Sequence, residues 1–290
     1  FSLVKAIQRL IQCVLMGVLI SGCSTVRIGY DQADHLGYWW IDRFLDLNAD
    51  KSRQFKADLK ALHGWHRQTQ LPDYARLANL FATRMEGEIT SGEVCEDIQA
   101  ARDKLEILAR QSLPIWARLS QQLGPEEIRQ LRKKFTDDDK EWKAKWLDVK
   151  PEKVQRLRYE EWLDRAESFY GKANEEQKRF IQQAASRSSW DARIVWERRQ
   201  QRQQRIIITL EKIMHQHLGL QEAEAELKIV FDQLFNPEDQ KQAEMQRKLI
   251  DEACTNLAGL HQVTNKNQRL RARQKFTDYA DDFLHLARSR

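Results

Sequence analysis

Glycine and proline are scarce in this chain. Its 290 residues hold 11 glycines and 5 prolines, with no two glycines and no two prolines adjacent. Sandwiches, barrels and doubly wound sheets need turn residues more often than that. Leu, Ala, Gln, Glu, Lys and Arg dominate instead, all good helix formers. An all-α fold is the expectation. Long apolar runs are missing too. The longest spans Leu10–Ile20, well short of the roughly 20 residues a bilayer span requires. Familiar catalytic patterns are absent: no Gly-x-Ser-x-Gly, no His-Glu-x-x-His, no glycine-rich phosphate loop. None of the 7 histidines has Glu three residues before it, as a di-iron bundle requires. No cofactor and no enzyme class is therefore expected. An excess of charge is also wanting. The net value is +5, and removal of residues 1–22, which carry Lys5 and Arg9 but no acid, leaves +3. That is a weak basis for nucleic-acid binding, and none is expected. Disorder is excluded, because 41% of the residues are apolar and 9 are Trp, enough to bury a core.

What is present begins with residues 1–22, which read as a secretory signal. Lys5 and Arg9 form its basic end and Leu10–Ile20 its apolar core. Ile20-Ser21-Gly22-Cys23 resembles a bacterial lipobox, which implies cleavage between Gly22 and Cys23 and lipidation of the cysteine. Ser24, where such proteins can carry Asp, implies export to the outer membrane. One acyl chain binds a membrane only marginally, and three hold permanently. An ordinary signal with a coincidental cysteine is the alternative. On the preferred reading residues 23–30 are a lipidated tether and residues 31–290 a periplasmic helical domain. Of the 4 cysteines, Cys95 and Cys254 then remain as an even pair in an oxidising compartment. A bridge is favoured over two buried thiols, and would contribute about 4–5 kcal/mol through its long loop.

The periodicity predicts about nine or ten helices. The first covers residues 31–47, with Trp39 and Trp40 assigned to the core rather than to a lipid interface. Asn48 caps the second, whose apolar face is Phe55, Leu59, Leu62 and Trp65. Leu71-Pro72 opens the third. Ser91 is expected to cap the fourth, which Pro114 should bend or break. Pro125 and Pro151 sit at first helical positions, and Gly171 ends the second of these helices. Asn174 is read as the cap of the longest segment, running to about His217. Helices over 220–235, 237–260 and 265–287 complete the set. Several starts share a hydrophobic or small residue, a cap and an acid. Asn174 to Gln177 and Asn265 to Gln268 are loosely similar to the Leu-Thr-x-x-Gln repeats of Spy-type periplasmic chaperones.

Four clusters carry candidate chemistry. His63 and His66 stand three apart on one helical face. They could meet one ligand or metal, but zinc needs a further ligand, so structural or pocket-lining histidines are preferred and no metal is expected. His215 and His217 diverge and should lie at a solvated end. Asp191–Arg205 is rich in arginine and glutamine; a solvated face is preferred over a basic binding surface, with Trp190 and Trp196 packed nearby. Thr136-Asp137-Asp138-Asp139 reads as a capped acidic helix start, with calcium as an alternative.

Val26-Arg27-Ile28-Gly29-Tyr30, Ala33-Asp34, Trp39-Trp40-Ile41-Asp42, Asp46-Leu47, Leu62-His63-Gly64-Trp65-His66-Arg67 and Leu71-Pro72-x-Tyr74 together resemble a family of helical bacterial lipoproteins, catalogued as domain of unknown function 6279. The resemblance implies an outer-membrane anchor and a helical fold, and no activity. A site shared by such a family would be sought at Tyr30, Asp34, Trp40, His63, Trp65, His66 and Tyr74. The leading expectation is a non-enzymatic interaction or scaffold protein with an unidentified envelope partner. A Spy-like client binder and a metal-binding protein using His63 and His66 are the alternatives.

Overall fold

A computed structural model describes residues 22–289. Of the expected signal segment, residues 1–22, all but Gly22 lies outside the described residues, as does the side chain of Cys23. Among the described residues there are twelve helices and no strand, so the chain is all-α as expected. They are α1 (Gly22–Asp31), α2 (Ala33–Leu45), α3 (Ala49–Thr69), α4 (Leu71–Arg84), α5 (Ser91–Gln122), α6 (Pro125–Trp146), α7 (Pro151–Tyr170), α8 (Glu175–Arg187), α9 (Ala192–Gln216), α10 (Leu220–Phe235), α11 (Gln240–Gln262) and α12 (Lys266–Arg288). No described helix is long and apolar enough to cross a membrane.

The 32-residue helix α5 is the spine, packing against α3, α4, α9, α10 and α11. Its lower half carries Ile115 and Leu119 into the main core with Phe55, Ile128, Leu131, Ile207 and Leu210. Leu113 and Ala117 turn toward Ile213, Ala223 and Leu227. Pro114 does not break it. The missing N–H and ring clash cost roughly 3 kcal/mol, whereas burying each of Leu113, Ile115 and Leu119 returns about 1.5–3 kcal/mol. Ser112 Oγ also donates to the Ala109 carbonyl at 2.7 Å and accepts from Trp116 Nε1 at 3.1 Å. Helix α4 lies against α12 on small residues, Ala75 and Ala78 meeting Ala280.

Capping explains most boundaries. Asn48, Asn174 and Asn265 each accept the backbone N–H three residues on. Two expectations fail here. Thr90, not Ser91, caps α5, in a reciprocal capping box with Glu93. The segment from Asn174 to His217 is two helices, broken at residues 188–191. Asp191 accepts from the Arg193 and Ile194 N–H groups at 2.7 and 3.3 Å and starts α9. Glu252 of α11 holds the break by accepting from Ser188 Oγ and Ser189 N, both at 2.7 Å. This break, and a helix where a tether was expected at residues 23–30, account for twelve helices rather than nine or ten.

Cys95 and Cys254 form a disulfide joining the start of α5 to α11 across 159 positions, as the pairing argument favoured. The sequence around Asp139 behaves otherwise than expected. Thr136–Asp139 lies within α6, and the Asp139 carboxylate accepts from Arg199 Nε at 2.5 Å, Gln200 Nε2 at 2.6 Å and Gln203 Nε2 at 2.9 Å. Part of the arginine-rich run therefore binds α6 instead of facing solvent. Arg198 likewise donates to Gln246 and to the Leu234 carbonyl. Trp196 stacks on Trp142 and Trp190 tilts against Trp146. His215 and His217 are exposed at the end of α9, as expected.

Candidate functional site

The spacing of His63 and His66 puts both rings on the α3 face that looks toward α1, α2 and α4. His66 sits between two phenols. Its Nδ1 lies 2.8 Å from the Tyr30 hydroxyl of α1, and its Nε2 lies 3.2 Å from the Tyr74 hydroxyl of α4. A neutral imidazole carries one N–H, so it donates to one tyrosine and accepts from the other. Trp65 and Tyr74 present ring edges to His66 at centroid distances of 6.3 and 5.2 Å. Tyr30 covers His63 at 4.7 Å. His63 Nδ1 stands 3.9 Å from Asp34 Oδ1 of α2, while His63 Nε2 is buried with no hydrogen-bond partner.

Two arginines enclose this cluster. Arg67 of α3 donates to Asp31 Oδ1 at 2.6 Å, to Ser289 Oγ at 3.0 Å and to the Leu286 carbonyl at 3.3 Å. Its guanidinium also lies 5.3 Å from the Tyr30 ring centre. Arg27 of α1 is ion-paired with Asp282 of α12, which is completely buried. Helix α1 is thus fastened to α3 and α12 by Arg27, Tyr30 and Asp31.

Burial sets the electrostatics. It holds the His66 imidazole down at about 4, assisted by the neighbouring His63. It lowers His63 as well, with Arg67 adding to the effect and Asp34 opposing it. Burial raises Tyr30 and Tyr74 above the ordinary phenol range. Both imidazoles are therefore neutral at pH 7, and the tyrosines are protonated donors. An acid–base catalyst works best with a pKa near the operating pH. Burial moves the His66 imidazole below that range and both phenols above it. Both His66 nitrogens are already engaged, and no group of three or more His, Cys, Asp or Glu side chains in metal-holding range occurs among the described residues.

The structure thus brings together six of the seven residues chosen from the sequence: Tyr30, Asp34, His63, Trp65, His66 and Tyr74. Trp40 does not join them. It lies against Phe44 at 4.9 Å and is 55% exposed, and Trp39 is 58% exposed beneath the Arg43 guanidinium. The assignment of both tryptophans to the core is corrected accordingly. Arg27, Asp31, Arg67 and Asp282 were missed as site residues, although Arg27 and Arg67 stand within the runs that carried the resemblance.

A second polar knot has no precursor in the sequence reading. His261 Nδ1 meets the Tyr170 hydroxyl at 3.0 Å and its Nε2 meets the Gly87 carbonyl at 2.8 Å. The two Asn-x-x-Gln boxes also meet. Gln177 Nε2 donates to Gln268 Oε1 at 2.7 Å, and Gln268 Nε2 donates back at 3.0 Å.

A family model described as a family of unknown function (DUF6279) matches residues 43–240. The matched span contains His63, Trp65, His66 and Tyr74 and leaves Tyr30, Asp34 and Trp40 outside. No curated protein and no solved structure matches the chain.

Proposed function

The chain belongs to the DUF6279 family, and on that premise we propose that it is an outer-membrane lipoprotein, acylated at Cys23, whose helical domain serves in the periplasm as a non-enzymatic interaction protein. One observation carries the membrane reading. Four strongly exposed apolar side chains follow the acylation position within 17 residues: Ile28 of α1 is 65% exposed, and Leu36, Trp39 and Trp40 of α2 are each at least 55% exposed. Leu36, Trp39 and Trp40 share one helical face by their spacing. Tryptophan prefers the membrane–water interface, where its ring is half buried and its N–H stays wet. With α1 fastened by Arg27, Tyr30 and Asp31, an acyl group on Cys23 would hold that face against the bilayer and fix the orientation of the domain. The weak acid–base character of the His63–His66 cluster supports a binding role over a catalytic one.

The test is outer-membrane fractionation with in-cell crosslinking of wild type, Cys23→Ser and Cys23→Ser/Trp39→Ala/Trp40→Ala. The first variant should lose most membrane association and its dominant envelope partner. The second should lose the residual association. A Cys23→Ser protein that stays in the outer membrane would refute the anchor, and wild type without an envelope partner would refute the interaction role.

A further inference from the structure

Helices α4, α5, α7, α8, α11 and α12 leave a cavity of about 470 Å³ between them. Ligand sites span about 300–1,000 Å³, so the space suits a small molecule rather than a folded partner. Its wall is made by side chains such as Ile98, Trp162, Phe169, Ile181, Leu260 and Phe276. Phe81, Ala101 and Phe276 also line a second apolar groove of about 320 Å³, which extends to Tyr74 and Phe283. The two spaces adjoin at these three shared side chains and are taken together as one apolar track.

Of the charged groups along it, all but one are ion-paired. Asp97 is paired with Arg84 at 2.5 Å. The Tyr170 hydroxyl is bonded to His261. Lys104, at the second groove, is ion-paired with Asp73. Arg165 differs: it is exposed at the cavity edge, and among the described residues its guanidinium has no carboxylate partner. An apolar space with one uncommitted guanidinium at its edge matches one ligand chemistry.

We infer that the track binds a single-chain amphiphile with an anionic head, the chain lying between α5, α7 and α12 and the head on Arg165. The apolar chain supplies the affinity through burial, and the guanidinium selects the sign of the head by charge-assisted hydrogen bonds. A free fatty acid and a lysophospholipid share this chemistry. The inference stands apart from the proposed anchoring: the clasp that docks α1, made by Arg27, Tyr30 and Asp31, lines neither space, and of the histidine cluster only Tyr74 reaches the second groove.

The test uses the full chain carrying Cys23→Ser, so that no acyl group of its own competes, with dansyl-undecanoic acid as fluorescent probe. One probe should bind per chain. Oleate and lysophosphatidylglycerol should displace it, the tighter of the two naming the source, and an alkyl trimethylammonium of equal length should compete at least tenfold less well. Ala101→Trp adds bulk to the wall that the two spaces share and should weaken binding, with a thermal melt confirming the fold. Arg165→Glu, at an exposed site that leaves packing intact, should weaken the anionic ligands about tenfold. Unchanged binding in either variant would overturn the inference, as would equal affinity for the cationic chain. Displacement by an unfolded polypeptide alone would also overturn it, and would place a protein client in the track.

Discussion

Acidification should loosen this protein in a window set by His66. Burial lowers its pKa from 6.5 to about 4. The folded state therefore holds the ring neutral, while the unfolded chain takes up a proton as soon as the pH falls below 6.5. More protons on the unfolded side means that stability is lost as pH falls. The full effect, reached below pH 4, is about 3 kcal/mol. Lowering the pH from 7.5 to 5 realises about 2 kcal/mol of it. A loss of that size moves a melting midpoint by about 4–8 °C in domains of 150–250 residues. His63 and His261, both lowered chiefly by burial, act in the same direction. The carboxylates Glu127, Asp139 and Glu252 are held low as well, so their losses come at still lower pH and leave this window clear.

The contribution of His66 is isolated by His66→Gln, which keeps an amide donor and acceptor between Tyr30 and Tyr74 without a titratable ring. Urea unfolding at pH 7.5 and at pH 5 would be measured for both proteins. Wild type should lose about 2 kcal/mol more than the variant between the two conditions. Equal losses would show that the imidazole is not held neutral between its two tyrosines, and the reasoning from burial would fail.

Three further outcomes follow from named contacts. Replacing Cys95 and Cys254 together by Ala should cost about 5 kcal/mol, because the bridge closes a separation of 159 positions in the unfolded chain; denaturation with and without reductant should converge on the variant. Arg27→Ala leaves the fully buried Asp282 carboxylate without its cation, a loss of about 3–5 kcal/mol for such pairs. Amide exchange should speed up first in α1, and Arg27→Ala/Asp282→Asn should restore part of the protection. Gly171 has φ +80° and ψ −170° at the end of α7, a backbone region open to glycine almost alone. Gly171→Ala should therefore destabilise by about 1–3 kcal/mol in a thermal melt.

How much of this was legible in advance depended on the distance over which the physics acts. Helix starts are local, and the capping asparagines at residues 48, 174 and 265 were readable because a cap satisfies N–H groups three residues away. The aromatic–histidine cluster was readable in part. The three-residue spacing of His63 and His66 fixes a common face, and the polar aromatics Tyr30 and Tyr74 need partners when buried. The break at residues 188–191 was not readable. Ser188 and Ser189 are compatible with a helix, and what ends it is Glu252, a residue 63 positions on from Ser189. Arg27 and Asp282 stand 255 positions apart, and nothing in either neighbourhood announces the other. Trp39 and Trp40 failed for another reason. Apolar periodicity says that a face is buried, without saying whether protein or lipid covers it.

The long-range pairs share a feature that bears on how the domain would work at a membrane. Arg27–Asp282, Tyr30–His66 and Arg67–Ser289 all gather at one end of α12, where α1 docks. The Gln177–Gln268 pair fixes the other end of the same helix. Its 23 residues span about 34 Å at 1.5 Å per residue, and Phe276, between the two ends, lies where the apolar cavity and groove meet. An anchor at α1 would thus act on a stiff strut that also forms the wall of the ligand space. Undocking α1 by Arg27→Ala or by protonating His66 removes one of the holds on the C-terminal end of that strut, which Arg67 and α4 also grip, while the Gln177–Gln268 end stays fixed. Affinity for an anionic chain should then fall together with the protection of α1. If affinity held constant while α1 came loose, the clasp and the cavity would be independent devices that merely share a helix.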